Sequence, residues 1–404
     1  MQVFALGILV VQIAARDGHP ELAPFYLGLM GLARAVPGIP LTLVAGAVAD
    51  RVDRRRILFV TQTTMALNAL VLAILAYLGL ANLAAVLVAA TIQSAAFAFD
   101  NPARQSIVPR IVPMPFYPSA IGLQSAAFNG ASIIGPLFAG LLFIPIGIGG
   151  LLLVNATSFV AILGALFVVP RIPPAARPSH GLFRSVVEGA RYVRRNPVLA
   201  WIITISGTVF VTAGPAGALL PALAGESLWN GISVLSLLLS AFGAGSFTAA
   251  FAVMNVGRIR SLGTIFVIAA MLNGVFLVLF AVTMQPFVAL AFAYVAGLGG
   301  TLMAGMGNNM LQSSVDDAYR GRVMSVWGLL FIGIMPVGQL ALGALGSIFG
   351  IHAALAFGGV IAFSAGLYAA VRLPMLREWR SPAHRHAIEV AQTPTVAVGQ
   401  PTFR

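Results

Sequence analysis

Apolar stretches of about 20 residues recur along the whole chain, and they limit what it can fold into more than any other feature. An α-helix of that length crosses the ~30 Å hydrocarbon core of a bilayer. The stretches cover 24–49, 57–79, 82–100, 119–145, 147–170, 199–223, 229–254, 262–283, 286–311, 323–349 and 351–373. Only 8% of the residues are charged, whereas a soluble domain carries about 25%. We therefore predict an all-α polytopic membrane protein that is surrounded by a lipid bilayer.

Residues 1–14 are also apolar, but as a helix they reach only ~21 Å. We interpret them as the second half of a first helix, either because the start lies inside a longer protein or because this helix is short. They lack the basic region and the cleavage site that are typical of a signal peptide. With this short helix the predicted number of transmembrane helices is twelve, and an even number leaves both chain ends on one side.

The basic residues follow every second helix. All 23 are arginine, and they are concentrated after helices 2, 4, 6, 8 and 10, with the densest group at Arg51–Arg56. Because basic residues favour cytoplasmic loops, we predict a multi-pass protein of the cell (inner) membrane with both termini in the cytoplasm. The net charge of +12 does not indicate a nucleic-acid partner, because the arginines are not gathered on one polar domain.

Two short patterns recur about half a chain apart, at equivalent helix positions. They are Arg54-x-Arg56 with Arg258-x-Arg260, and Gly135-Pro-Leu-Phe-Ala-Gly140 with Gly338-Gln-Leu-Ala-Leu-Gly343. Two parallel halves of six helices are a transporter architecture. We predict an N-terminal six-helix bundle at 1–170, a cytoplasmic linker at 171–198, a C-terminal six-helix bundle at 199–373 and a disordered cytoplasmic tail at 374–404.

The linker contains one amphipathic stretch, in which apolar residues at helical spacing form one face and charged residues form the other. The apolar set is Leu182, Phe183, Val186, Val187, Ala190 and Val193, and the charged set is Arg184, Glu188, Arg191, Arg194 and Arg195. The pattern is typical of a helix that lies in the cytoplasmic membrane interface. A helix that binds a protein partner is the alternative.

The residue inventory excludes several classes of function. There is no cysteine, and without lysine the chain cannot contain a phosphate-binding GxxxxGKS/T loop. The five histidines are scattered over loops and tail and, apart from His384-x-His386, lack metal-ligand spacing. We expect no enzymatic activity, no metal site and no cofactor.

The most specific motif follows helix 2. From Gly46 to Arg56 the chain reads Gly-Ala-Val-Ala-Asp-Arg-Val-Asp-Arg-Arg-Arg. This resembles the helix 2–3 loop of the major facilitator superfamily, G-x-L-A-D-R-x-G-R-R, with departures at Val48 and Asp53. The segment Phe99-Asp-Asn-Pro-Ala-Arg-Gln105 is similar to the enterobactin-exporter-like, drug:proton antiporter branch. The resemblance implies a major facilitator fold of twelve helices in two six-helix parallel repeats.

The same motif is predicted to act as a conformational latch. Gly46 lets helix 2 approach a neighbour closely, and the carboxylate of Asp50 needs a partner, either Arg104 or the positive N-terminal end of helix 11 near Val323. The resemblance implies that the contact with helix 11 closes the cytoplasmic side, and the alternative is that the arginines only anchor topology. The predicted latch residues are Gly46, Asp50, Arg51, Arg54 and Arg104.

Helix 5 carries small residues at fixed spacing. Gly122, Ala131, Gly135, Pro136, Ala139 and Gly140 are similar to the antiporter motif G-x8-G-x3-G-P-x2-G-G, with alanine at two glycine positions. Proline bends a membrane helix, and neighbouring helices can satisfy the freed carbonyl. The resemblance implies export by antiport, and ordinary close helix packing is the alternative.

Arg34 lies about 15 Å into helix 2, near the bilayer midplane. An unpaired arginine there costs at least ~2.5–3.5 kcal/mol, so it needs a wet cavity or a carboxylate. One hypothesis is that it attracts an anionic or polar group of a substrate. The other is a structural ion pair with Asp17 or Glu21, or a side chain that reaches the interface. Pro37 and Pro40 interrupt the helix beside it.

Several side chains at membrane depth are candidates for lining a central cavity. With Arg34 they are Gln12, Gln93, Gln124, Asn129, Phe210, Met303, Trp327 and Phe331. As a set they suit amphiphilic compounds, while each alone also fits an interhelical hydrogen bond or simple packing. Acidic residues near the membrane are few, and Asp17 and Asp100 are the candidates for proton coupling, which the resemblance implies.

Together these features predict a secondary active transporter, acting as a monomer, that exports small amphiphilic molecules such as drugs or siderophores by alternating access, with protons as the coupling ion. An importer or facilitator of a polar metabolite is the alternative within transport. A non-transporting membrane scaffold or sensor is the alternative outside it.

Overall fold

The computed structural model describes residues 2–168, 182–225, 232–254, 261–283 and 285–379, and these ranges contain no β-strand. The first helices are α1 (Gln2–Arg16), α2 (Ala23–Arg51), α3 (Arg54–Tyr77), α4 (Leu83–Ile111) and α5 (Tyr117–Val168). After them come α6 (Leu182–Arg195), α7 (Pro197–Thr212), α8 (Ala216–Leu219), α9 (Ile232–Met254), α10 (Leu262–Val282), α11 (Pro286–Ser314), α12 (Asp317–Leu329), α13 (Met335–Phe349), α14 (Ile351–Arg372) and α15 (Pro374–Arg377). A π-helical segment, Leu330–Ile334, joins α12 to α13.

Ten helical stretches of the described residues are long and apolar enough to cross a membrane. One of them contains two crossings, because α5 is broken at Gly147, where φ is 63° and ψ is −171°. This backbone conformation is open essentially to glycine alone, and the break falls between the stretches predicted at 119–145 and 147–170. The shorter apolar helix α1 has 15 residues. With α1 and both arms of α5, the helices agree with the twelve that are predicted.

One interhelical hydrogen bond recurs in the two halves. Asn68 Nδ2 on α3 donates to the carbonyl oxygen of Ala89 on α4 at 2.9 Å. Asn273 Nδ2 on α10 donates to the carbonyl oxygen of Ala296 on α11 at 2.8 Å. Both asparagines are buried, and a buried amide in a helix bundle needs such a partner. Equivalent bonds between equivalent helices are what a duplicated bundle produces.

A continuous apolar core contains side chains from both halves of the chain. Its largest fully buried members include Leu6, Leu27, Leu72, Phe266 and Phe280. Many large apolar side chains are instead exposed on the outside, among them Val71, Phe287 and Val371. An apolar exterior suits a surface that is solvated by lipid, because lipid tails are as apolar as leucine.

The predicted amphipathic helix is present as α6, and it packs against the start of α12. Glu188 Oε2 pairs with Arg322 Nε at 3.1 Å, and the hydroxyl of Tyr192 donates to Asp316 Oδ2 at 3.1 Å. The rings of Tyr192 and Tyr319 stack with centroids 4.6 Å apart. Partial desolvation and the bond to Asp316 raise the pKa of Tyr192, so its hydroxyl remains a donor. These contacts attach α6 to the second half of the chain.

The prediction of a disordered tail from residue 374 is wrong for its first residues. Residues 374–377 form α15, and Leu376 and Trp379 are buried. Trp379 Nε1 donates to Ser314 Oγ at 3.1 Å, which fixes the segment to the end of α11. The prediction failed because the tail is polar on average, although its first residues include the apolar side chains of Leu376 and Trp379. Residues 380–404 lie outside the described residues.

Candidate functional site

A cavity of about 500 Å³ lies between α2, α4 and the segment around the π-helical turn. Its polar lining is Arg34, Thr42, Ser94, Asn101 and Gln105, and its apolar lining includes Phe97, Phe331, Ile332 and Pro336. Both halves of the sequence therefore contribute to its wall. The volume falls within the ~300–1,000 Å³ range of small-molecule sites.

Two hydroxyl groups on α4 bind the backbone of α2 beside Pro37, which lies inside the helix. Pro37 has no N–H, so the carbonyl oxygen of Ala33 loses its helical donor. Thr91 Oγ1 donates to that oxygen at 3.1 Å, and Ser94 Oγ donates to the carbonyl oxygen of Arg34 at 2.7 Å. A neighbouring helix thus replaces the lost backbone donor. Thr91 and Ser94 are not among the predicted site residues, although the proline signals that a donor must be near.

The guanidinium of Arg34 borders the cavity and has no ion-pair or hydrogen-bond partner among the residues that the structure describes. The acids proposed as structural partners are engaged elsewhere: Asp17 pairs with Arg16 at 3.3 Å, and Glu21 with His19 at 3.1 Å. The described lining of the cavity contains no acid. Because arginine stays charged, the cavity carries a positive charge.

Phe331 joins the cavity to an aromatic cluster of the second half. Its ring centroid is 4.3 Å from that of Phe210, which lies 5.6 Å from Trp327. Phe331 is 41% exposed, whereas Phe210 and Trp327 are each 5% exposed. The π-helical turn containing Phe331 precedes Pro336, whose missing N–H interrupts the regular α-helical hydrogen bonds. Phe331 therefore borders the cavity, and the other two rings support it from behind.

Asp100 is the centre of a polar cluster between α3 and α4. Its side chain is fully buried, and it accepts hydrogen bonds from Thr61 Oγ1 at 3.1 Å and from Gln62 Nε2 at 2.6 Å. The guanidinium of Arg104, one turn further along α4, pairs with the other carboxylate oxygen. The arrangement places a fully buried carboxylate beside an arginine whose side chain is half exposed.

The predicted latch is described in part. Gly46, Asp50 and Arg51 lie in the last turns of α2, and their surroundings are outside what the structure describes. Arg54 is buried at the start of α3 and has interactions there. Asp53 caps α3, because its Oδ1 accepts from the backbone N–H of Arg55 at 2.9 Å. The turn between α2 and α3 is therefore fixed by its own side chains.

The small residues of helix 5 lie beside a contact between the two halves. Ala139 and Gly140 are buried, Gly135 and Pro136 are half-buried, and Ala131 is exposed. Gly122 and Asn129 lie in α5, and their surroundings are not described. Ser240 Oγ on α9 donates to the carbonyl oxygen of Ile133 at 3.0 Å. The carbonyl group of Ile133 lies in the helical turn before Pro136. Because proline has no N–H, the backbone hydrogen bonding of the helix is incomplete in that turn.

The remaining candidates are spread over the molecule. Gln12 and Gln124 are exposed, and the buried Oε1 atom of Gln93 has no hydrogen-bond partner within the described ranges. Met303 has no accessible surface, so it packs in the core in this conformation. Asp17 is exposed at the end of α1. Of the predicted cavity residues, Arg34 and Phe331 are brought together at the cavity.

Toward the N-terminal end of α2, beyond the cavity, α2 crosses α13. Gln339 Nε2 donates to the carbonyl oxygen of Leu27 at 2.8 Å, and the backbone N–H of Phe25 donates to Ser347 Oγ at 3.0 Å. The backbones come close at Gly28, where a Cβ atom would lie 2.9 Å from backbone atoms of α13. The crossing joins the two halves at the end of α2 that is away from the arginine cluster. We call it the α2–α13 crossing.

The fold and the cavity between two helical halves define a polytopic membrane protein with the architecture of a transporter. The family model described as transmembrane secretion effector matches residues 6–398, and the chain belongs to this family of the major facilitator superfamily. It is 25% identical to the staphyloferrin A transporter of Staphylococcus aureus, over 81% of this chain and 82% of that protein. It is 25% identical to the multidrug efflux pump Tap of Mycolicibacterium fortuitum, over 87% of each chain. To the enterobactin exporter EntS of Shigella boydii it is 22% identical, over 86% of this chain and 83% of that protein.

Solved structures agree on the fold. The peptide transporter POT superposes with a TM-score of 0.73 at 14% identity, over 94% of this chain and 93% of that one. The nucleoside transporter NupG superposes with a TM-score of 0.69 at 12% identity, over 94% of this chain and 98% of that one. At such identities the likeness establishes the major facilitator fold and nothing about the transported compound.

Proposed function

We propose that this chain is a secondary active transporter of the cell (inner) membrane that exports small amphiphilic molecules in exchange for protons. The observation that carries the proposal is the cavity between the halves, with Arg34 on one wall and Phe331 on the other. Among the relatives, one is named an enterobactin exporter and another a multidrug efflux pump. Both names describe outward movement of small molecules.

The proposed cycle is a rocking of residues 1–170 against 199–373 around the cavity, in a monomer. In this conformation the α2–α13 crossing joins the halves at one end, and the cavity extends toward the arginine-rich end of α2. Because arginine-rich loops favour the cytoplasm, we infer an inward-facing state with both termini in the cytoplasm. An exporter loads its substrate in that state.

Charge and shape of the cavity support a substrate class. An unpaired guanidinium suits a carboxylate or another anionic or polar group, and Phe331 with Phe97 offers apolar contact. A molecule with an anionic end and an apolar or aromatic end can pair with the guanidinium on one wall and pack on the aromatic ring of Phe331 on the other. We infer that Arg34 fixes the orientation of the substrate and that Phe331 packs on its apolar part.

Proton coupling is proposed for Asp100. Its buried carboxylate pairs with Arg104 and accepts hydrogen bonds from Thr61 and Gln62, and removal of one partner of a buried ion pair leaves a charge without compensation. If Arg104 turns toward another acid during the cycle, Asp100 takes up a proton. Asp50 is the acid that we propose for that exchange, and it is the residue that closes the cytoplasmic side in the outward-facing state.

Transport of an amphiphilic anionic dye into inside-out vesicles tests the proposal. An exporter accumulates the dye against its gradient when the vesicle interior is acidified, and an uncoupler abolishes the accumulation. A facilitator only equilibrates the dye, an importer concentrates it in intact cells, and a scaffold leaves vesicles with and without the chain alike. Any of these last three results would contradict proton-linked export.

A further inference from the structure

The helix α6 has one side that is held by the protein. Glu188 and Tyr192 bind α12 through Arg322 and Asp316, and Val193 is 5% exposed in the core. Glu188 and Tyr192 are four residues apart and share one face of the helix, and Val193 lies at the edge of that face. The docked face fixes the rotation of α6 about its axis and decides which residues point away from the protein.

The opposite face of α6 is basic and free. Val187, Arg191, Arg194 and Arg195 lie on it, all four are exposed, and Val187 is 43% exposed. None of the three arginines has an acidic partner among the described parts of the chain. Three unpaired guanidinium groups on two turns of one helix repel one another unless an external anion lies against them. We call this surface the arginine face of α6.

The position of the arginine face relative to the membrane follows from the next helix. α6 ends at Arg195 and α7 begins at Pro197, so one residue separates the two. That residue, Asn196, caps α7, because its Oδ1 accepts from the backbone N–H of Val198 at 3.1 Å. α7 starts a membrane crossing. Arg194 and Arg195 therefore lie at the level where the lipid headgroups begin.

We propose that the arginine face of α6 binds the phosphate groups of anionic phospholipids in the leaflet that surrounds the start of α7. Guanidinium groups match phosphate oxygens in charge and in bidentate geometry, and Val187 contacts the apolar part of the lipid beside them. The two longest segments outside the described residues do not complement the face. Residues 169–181 contain no acid, and residues 380–404 contain Glu389 against three arginines.

A site-specific quenching experiment tests this binding. The chain has no cysteine, so Val187→Cys carries the only thiol and takes a fluorescent label on the arginine face. The labelled full-length protein is placed in nanodiscs that contain brominated phosphatidylglycerol or brominated phosphatidylcholine as the quencher. We expect half-maximal quenching at a much lower mole fraction of phosphatidylglycerol. Each arginine near an anionic surface raises the affinity roughly fivefold, so the three together predict a preference for phosphatidylglycerol on the order of a hundredfold.

The comparison variants are Arg191→Gln, Arg194→Gln and Arg195→Gln together, with Arg372→Gln as the matched control. Arg372 is an exposed arginine at the end of α14, and its guanidinium makes no hydrogen bond or ion pair with the described residues. The triple variant should lose the preference for phosphatidylglycerol, and the control should keep it. If the triple variant unfolds at a lower temperature than the unchanged protein in phosphatidylcholine, the lipid preference is measured with the single variants Arg191→Gln and Arg194→Gln instead. Each of them should reduce the preference.

Three results would overturn the proposal. The first is equal quenching by the two lipids in the otherwise unchanged protein. The second is a triple variant that is folded and retains the preference. The third is displacement of the lipid by excess inorganic phosphate, because a free anion would then be the ligand of the arginine face.

Discussion

The side-chain amide of Gln339 on α13 donates to the carbonyl oxygen of Leu27 on α2 at 2.8 Å, and this bond joins the two halves of the chain. Side-chain hydrogen bonds between membrane helices contribute about 0.6–1.7 kcal/mol. A bond of that size is large enough to bias a conformational equilibrium and small enough to break in every cycle. The α2–α13 crossing is therefore suited to hold one end of the transport path closed for part of the cycle.

Gln339→Leu should shift the protein toward the state in which this end is open. Loss of the bond predicts a change of roughly three- to eighteenfold in the ratio of the two states. Spin labels at Glu21→Cys and Ile348→Cys, both exposed near the crossing, report the distance across it. The longer distance should gain population in Gln339→Leu and not in Gln285→Leu, which removes an exposed amide away from the crossing. An unchanged distribution would show that the bond does not hold this end closed.

Gly28→Ala should separate α2 from α13, because the added methyl group would lie 2.9 Å from backbone atoms that cannot rotate away. Overpacking of this kind costs about 1–3 kcal/mol, so transport should fall while the protein remains in the membrane. Gly164→Ala is the matched control, since its methyl group meets nothing within 4 Å. Equal transport by both variants would mean that α2 and α13 need not approach so closely during the cycle.

Arg34→Gln should weaken transport of anionic compounds more than transport of cationic ones. A hydrogen bond to a charged group contributes about 1.5–3 kcal/mol, so KM for an anionic dye should rise roughly ten- to hundredfold. Arg34→Lys should recover part of the loss because it restores the charge without the bidentate geometry. Equal losses for anionic and cationic dyes would assign Arg34 a structural role.

Asp100→Asn should uncouple transport from protons. The amide keeps the shape of the side chain but cannot exchange a proton, so transport driven by a pH gradient should be lost while substrate counterflow persists. Asp17→Asn is the comparison, because Asp17 is exposed and pairs only with its neighbour Arg16 in the described chain. If Asp17→Asn loses pH-driven transport and Asp100→Asn does not, the coupling site lies at the end of α1.

Asp50→Asn should impair transport while the amount of protein in the membrane stays close to normal. The substitution removes the negative charge on which the proposed latch depends, and asparagine has nearly the same size as aspartate. Asp53→Asn is a matched control three residues away, because asparagine caps a helix about as well as aspartate. Normal transport by Asp50→Asn, measured at equal protein level, would remove the latch from the proposed cycle.

The helices were predictable from sequence because lipid requires about 20 apolar residues for each crossing. Arg34 was predictable as a cavity residue for a related reason, since an arginine at that depth needs water or an acid. The α2–α13 crossing and the hydrogen bonds from Thr91 and Ser94 were not predictable from the sequence. A transmembrane helix is apolar toward lipid and toward its neighbours alike, so its sequence does not reveal which helix lies beside it. Gln339 and Ser94 became informative only once their neighbours were known.

Thr91 and Ser94 attach α2 to α4 beside Arg34, so in a rocking transporter the arginine travels with the first half and Phe331 travels with the second. The charged contact of a bound molecule with Arg34 and its aromatic contact with Phe331 are therefore separated in every transport cycle. A ligand that touches both residues can hold both contacts in the described conformation, where Arg34 and Phe331 line one cavity. Its release on the other side then needs no additional trigger, because the rocking that opens the path there also moves the two residues apart.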